Sequence, residues 1–99
     1  MSETQRLERD VAHLVPLAQR GDAAAREALL ARCHSTVFRW ALVQVGDADE
    51  AEDVAQEALV RLDAGLGGFA GKSLFATWLY RVTRNVALEW GRRAARTLR

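Results

Sequence analysis

Apolar residues along this chain recur at three- and four-residue intervals, interrupted at Gly21-Asp22, at Gly46-Asp47 and by a glycine-rich stretch from Gly65 to Gly71. Such spacing puts side chains on one face of an α-helix, and no alternating run of the strand type competes with it. Val11, Leu14, Val15 and Ala18 stand at i, i+3, i+4 and i+7, which predicts a short first helix from Val11 to Gln19. Pro16 weakens it, because proline removes an amide donor and clashes with the preceding turn, so this helix kinks or begins near Val15. Residues 1–9 are expected to be a flexible N-terminus.

Asp22 is a suitable N-cap for a long second helix running to about Gln44, with Gly46 as its terminator. Leu30, Val37, Phe38, Ala41 and Val45 fall on one broad face of that helix, and Cys33 and Trp40 flank it. A third helix is expected from Asp49 to Leu62, with acids in its first turn facing the positive end of the helix dipole. Ala51, Val54, Ala55, Ala58 and Leu62 make its inner face. Ser73 is expected to cap a fourth helix that runs through Leu74 to about Arg93, with Phe75, Leu79, Val82, Val86 and Trp90 as its core stripe. The expectation is an all-α fold, a compact bundle of about four helices.

Composition narrows the class. At 99 residues and 11.0 kDa the chain has room for a single domain with one core. A content of 49% hydrophobic and 27% charged residues is that of a globular protein. The lone Cys33 excludes an intramolecular disulfide and a cysteine zinc cage, in keeping with a reducing compartment. His34 is expected to be packed or hydrogen-bonded, since a structural metal site needs four close ligands. No metal and no cofactor are expected. Without an apolar run of about 18 residues or a hydrophobic signal core, a soluble cytoplasmic protein with no membrane partner is expected. Neither paired carboxylates in a pocket nor an activated nucleophile is evident, so the chain is not expected to be an enzyme.

Charge changes the picture more. The net charge of +1 conceals a stretch from Asp47 to Asp63 with seven acids against Arg61, and a stretch from Ala64 to Arg99 with seven bases against Glu89. Segregated signs suggest two surfaces, the basic one facing a polyanion, although two solvated helix faces attracting each other would give the same pattern. On the fourth helix Trp78, Arg81, Asn85 and Arg92 lie within about 60° of one another, with Arg84 on the adjoining surface. An aromatic, an amide and guanidiniums together can stack on bases, bond base edges and neutralise phosphates; Trp78 alone fits a core edge equally well. The loop from Asp63 to Lys72 holds four glycines and Phe69. It lacks the phosphate-loop pattern, but beside a basic helix it can wall a pocket for an extruded base. On the third helix, Asp49, Asp53, Gln56, Glu57 and Val60 form the outer face, an aliphatic among acids that suits partner docking.

The run Asp-Ala-Asp-Glu-Ala-Glu-Asp-Val-Ala-Gln-Glu-Ala-Leu (Asp47 to Leu59), followed by Phe69-Ala-Gly-Lys-Ser-Leu-Phe-Ala-Thr-Trp-Leu-Tyr-Arg-Val-Thr-Arg-Asn (to Asn85) and Arg92-Arg93, closely resembles region 2 of bacterial sigma factors of the extracytoplasmic-function class. The resemblance extends over roughly Leu14 to Arg93. It implies a helical domain that binds the clamp helices of the largest subunit of core RNA polymerase and recognises and melts the promoter −10 element. Carried over by the resemblance, Asp53, Gln56, Glu57 and Val60 would meet polymerase. Phe69 would pack near a flipped base of the non-template strand and Asn85 would contact a base. Arg81, Arg84, Arg92 and Arg93 would hold phosphates, with Lys72 and Trp78 on the same DNA-binding surface. Where many relatives have aromatics in and after the acidic helix, this chain has Ala58 or Leu59 and then Leu62-Asp63, which implies a different packing on the clamp. Residues 94–99 are expected to begin a linker to a region 4 domain that this chain lacks. The alternative reading is a sigma-like interaction module that binds an anti-sigma factor or polymerase without promoter recognition.

Overall fold

A computed structural model describes residues 1–97 of the chain. They form five α-helices and a short 3-10 turn: α1 (Glu3–Val11), α2 (Leu14–Gln19), α3 (Ala23–Val45), α4 (Ala48–Gly65), the turn Leu66–Gly68, and α5 (Phe75–Thr97). Helix α3 lies at the centre and packs against each of the other four α-helices, while α4 and α5 pack on each other as well as on α3. Among the described residues there is no strand, and the all-helical expectation holds.

The N-terminus departs from expectation. Residues 1–9 are not a flexible tail: Ser2 caps α1 through a reciprocal pair with Gln5, and Leu7 and Val11 are completely buried. A helix this short is marginal alone, and burial of two aliphatic side chains at about 1.5–3 kcal/mol each orders it. Its acids also tie it down. Glu3 accepts from Arg39 at 2.5 Å, Asp10 pairs with Arg32, and Glu8 reaches α5. The apolar pattern from Val11 onward therefore belongs to two helices separated at Ala12-His13. Pro16 is the third residue of α2, where its missing N–H would have had no intrahelical partner anyway.

Helix α3 begins and ends where its caps place it. Asp22 Oδ1 accepts from the Ala25 amide at 2.9 Å, and Gly46 adopts φ 73°, a left-handed conformation that glycine enters without steric cost. Its buried face is Leu29, Cys33, Val37, Trp40 and Ala41, so Cys33 sits in the core rather than on its flank, and Leu30, Phe38 and Val45 are at the edge. A central helix is covered from several sides, which turns flanking positions into core positions. Burial pushes the Cys33 thiol up to about 12. On α4, Ala51, Val54, Ala55, Ala58 and Leu62 are all fully buried, as their periodicity requires. Asp47 caps this helix, accepting from Glu50 N at 2.9 Å, and the helix runs three residues past Leu62.

The start of α5 corrects a second expectation. Ser73 does not cap it; the Ser73 hydroxyl donates to the Leu74 carbonyl, and it is the Leu74 carbonyl that accepts the first helical bond, from Trp78 N at 3.1 Å. The residue at the cap position thus has no polar side chain, and the Ala76 amide is taken instead by Glu8 Oε1 of α1 at 2.8 Å. The helix continues through 94–97, the first part of the segment expected to begin a linker; residues 98 and 99 lie outside the described residues.

Candidate nucleic-acid interface

Between α4 and α5 the chain makes the 3-10 turn and then an exposed loop, and a recess of about 370 Å³ opens between that loop and the first turns of α5. Gly68, Phe69, Ala70, Lys72, Ser73, Trp78 and Arg81 line it. Two rings, Phe69 and Trp78, form its apolar side, with Phe75 packed behind them. The Phe69 centroid stands 5.8 Å from Phe75 edge-on and 5.4 Å from Trp78, and Phe75 and Trp78 are 5.7 Å apart. Phe75 is anchored in the core, while Phe69 and Trp78 are half-buried. Trp78 is therefore both core edge and recess wall. Its ring reaches the end of α4, where a Cβ on Gly65 would come within 3.2 Å of Trp78 Cζ2. Lys72 and Arg81 are exposed and give this ring-lined recess a positive rim.

The remaining basic residues of α5 continue the surface. Arg84, Asn85 and Arg92 are exposed, so none is enclosed among helices. Arg92, Arg93 and Arg96 line a second, smaller recess of about 190 Å³ together with Glu89. Arg93 turns toward α4: its guanidinium stands 5.1 Å over the Trp90 ring, and a nitrogen is 3.8 Å from Glu57. The structure thus brings Phe69, Lys72, Trp78 and Arg81 into one recess and Arg92 and Arg93 into another. Arg84 and Asn85 lie on open helix surface outside both linings.

The acidic face divides in the same way. Gln56 and Val60 line a groove of about 260 Å³ with Leu30 and Leu59, closed at one side by Arg26 and Asp63. Arg26 holds Asp63 through two bonds of 2.6 Å, which keeps the Asp63 carboxyl below the usual range and raises Arg26. Val60 is 66% exposed, an aliphatic in open water at the edge of an apolar-floored groove. Asp53 is exposed on the same helix strip. Glu57 is set apart from them, because Arg61 binds both Glu57 and Glu89 at 2.7 Å and so bridges α4 to α5. Glu89 is held below the usual carboxylate range by that hydrogen bond. The two stretches are thus joined along one edge mainly through their exceptional charges, Arg61 and Glu89, with Arg93 and Glu57 in a longer contact at 3.8 Å, while their outer faces stay separate.

His34 is hydrogen-bonded, as expected: its Nε2 lies 2.9 Å from Glu52 Oε1, which also accepts from Gln56 at 2.9 Å. Those two bonds hold the Glu52 carboxyl below its ordinary range. Among the described residues no cluster of three His, Cys, Asp or Glu side chains could hold a metal ion, and no helix is long and apolar enough to cross a membrane.

Two residues that shape the first recess had drawn no notice in the sequence. Glu8 caps α5 at its rim, and Gln19 binds two carbonyls of the loop, Leu66 O at 3.0 Å and Phe69 O at 2.8 Å. Both contacts join residues far apart in the chain and carry no periodic signature. In the groove, Leu59 and Asp63 stand three residues beyond Gln56 and Val60 on α4, while Arg26 and Leu30 reach it from α3, a meeting of two helices that neither pattern records.

Comparison with known proteins agrees with this arrangement. The model of the family described as Sigma-70 region 2 matches residues 29–97. The RNA polymerase sigma-H factor of Pseudomonas aeruginosa is 43% identical over 74 residues, which is 75% of this chain and 38% of that protein. The ECF RNA polymerase sigma factor SigM of Mycobacterium tuberculosis is 32% identical over 89 residues, 90% of this chain and 45% of that protein. The chain thus spans less than half the length of these curated relatives. Among solved structures, an engineered region 2 of sigmaE, determined by NMR in complex with GTAAAA, superposes with a TM-score of 0.73 at 31% identity, covering 99% of this chain and 98% of that one. With the family model matched over residues 29–97 and the helices superposing on a solved region 2, the chain belongs to the sigma-70 region 2 family, in the branch represented by extracytoplasmic-function sigma factors.

Proposed function

We propose that this chain is the part of a sigma factor that docks on core RNA polymerase through α4 and captures the non-template strand of a promoter −10 element along α5. The carrying observation is the recess of Phe69, Lys72, Trp78 and Arg81, which offers ring faces for a base and cations for the phosphates beside it. Guanidinium contacts supply salt-dependent attraction that tolerates any sequence, and base capture supplies choice. No bond is made or broken; opening is favoured because the unpaired strand is bound and the duplex is not. The cytoplasm is where such work is done.

In this reading Phe69 and Trp78 wall the base site. Lys72, Arg81, Arg84, Arg92 and Arg93 hold phosphates, and Asn85, a turn beyond Arg81, reads a neighbouring base edge. Asp53, Gln56 and Val60 meet the polymerase clamp helices, with Leu30 and Leu59 as the apolar floor beneath. Glu57 acts from the side, through Arg61 and Arg93.

The test begins with a single-stranded hexamer enriched from a randomised pool on the chain, and with its scrambled counterpart, both followed by fluorescence anisotropy. Asn85→Ala is expected to weaken the enriched strand selectively, whereas Arg84→Ala weakens both alike. Equal losses for Asn85→Ala would count against its reading of a base. Separately, Asp53→Ala with Gln56→Ala should abolish capture by core polymerase with the helical circular dichroism unchanged, and undiminished capture would refute the docking face. Polymerase capture without binding of any single strand would favour the interaction-module reading.

A further inference from the structure

Gln19 closes α2, and its side-chain amide spans 47 and 50 positions of sequence to the carbonyls of Leu66 and Phe69. A primary amide nitrogen carries two N–H groups, and both are used on the loop. The two carbonyls bracket the 3-10 turn, whose own closing bond, Phe69 N to Leu66 O at 3.1 Å, lies between them. Among the described residues no other side chain hydrogen-bonds to the backbone of residues 66–73. Gly67, Gly68, Ala70, Gly71 and Lys72 are exposed, and a glycine-rich segment of that kind has much backbone freedom to lose.

The placement of the Phe69 ring thus depends on what restrains the Phe69 backbone, and Gln19 supplies a restraint from outside the loop. We infer that Gln19 is the positioning residue of the ring-lined recess. It sets the height and angle at which Phe69 faces an incoming base, and so governs which base the recess accepts, while leaving the general attraction of the basic helix untouched. This rests on reading the recess as a base-binding site.

Three variants separate the possibilities. Gln19→Leu removes both donors at similar size, Gln19→Glu sets carboxylate oxygens against two carbonyls, and Gln19→Lys restores donors on a longer arm. Gln19 is exposed, so the helical circular dichroism of all three should match the parent. The first readout needs no DNA: the 15N heteronuclear NOE of the amides from Gly67 to Lys72 should fall in Gln19→Leu and Gln19→Glu and recover in Gln19→Lys. The second is the ratio of affinities for the enriched and scrambled hexamers. It should drop about tenfold in the first two variants, the scale of two modest hydrogen bonds, and recover in the third; taking a ratio cancels the added charge of lysine.

Unchanged NOE values in Gln19→Leu would overturn the inference whatever the DNA result. A ratio kept by Gln19→Leu but lost by Phe69→Ala would also overturn it, with the base-site reading intact. A ratio kept by both variants would bring down the base-site reading and the inference together. Should Gln19→Leu fail to fold, the pair Gln19→Glu and Gln19→Lys carries the comparison, and equal behaviour of those two would overturn it.

Discussion

Replacing Leu7 by alanine should cost this domain about 3 kcal/mol, within the range of about 2–5 for buried leucines. Leu7 has no accessible surface. Truncation removes three buried carbons, each equivalent to about 0.8 kcal/mol of lost burial, and the space left behind adds to that. Collapse of α1 onto the void is opposed on three sides, by Glu3 on Arg39, Asp10 on Arg32, and Glu8 on the Ala76 amide. The assay is urea unfolding followed by far-ultraviolet circular dichroism. With a slope of about 1.5 kcal/mol per molar urea, the midpoint should fall by about 2 M. Glu8→Ala, which removes only the cap of α5, should cost about 1 kcal/mol, and Glu8→Gln, which keeps an acceptor oxygen, much less. A Leu7→Ala variant within about 0.5 kcal/mol of the parent would refute the reasoning, since that is what substitution in an unstructured tail produces.

The core position of Cys33, with its thiol raised to about 12 by burial, makes it unreactive in the folded state; labelling by a disulfide reagent at neutral pH should be slow and become rapid in denaturant. Rapid labelling of the native protein would place Cys33 at the surface. Asp63 and Glu89 are held below the usual carboxylate range by Arg26 and Arg61, so their protons bind more tightly in the unfolded chain. The stabilisation is present above the ordinary carboxyl pKa of about 4 and is lost as pH falls through the lower folded values, so the melting temperature should decline in acid. A double variant, Asp63→Asn with Glu89→Gln, should show a shallower decline, and an unaltered one would refute the assignment. Gly65→Ala sets a methyl group 3.2 Å from Trp78, so its near-ultraviolet circular dichroism should change along with single-strand binding; an unchanged spectrum would mean that the ring has room to spare.

Local chemistry made much of this domain legible. Asp22 and Gly46 bound α3 because caps act within four residues, and the inner face of α4 was readable because its buried positions repeat every turn, although Asp47 caps that helix so that it starts at Ala48, one residue before the expected Asp49. The exposed positions of Arg81, Arg84, Asn85 and Arg92 followed from the same periodicity. Where the reading failed, the deciding contact came from elsewhere in the chain. Leu7 and Val11 are too few to announce a helix, and it is the groove they fill that orders α1. Ser73 looks like a cap until Glu8 arrives from 68 positions away to take the Ala76 amide. Glu57 belongs by spacing to the outer face of α4, but Arg61 and Arg93 draw it toward α5.

The sequence by itself determined the all-helical class, the bounds of α3, the inner face of α4 and the division of charge, since each depends on residues within a turn or two of one another. Tertiary structure alone decided that α1 is ordered, that Cys33 lies in the core, and that Gln19 holds the loop beside Phe69. A single amide or carboxylate finds its partner only once the packed backbone has brought distant carbonyls and amides within 3 Å of it, and no repeat along the chain records that distance.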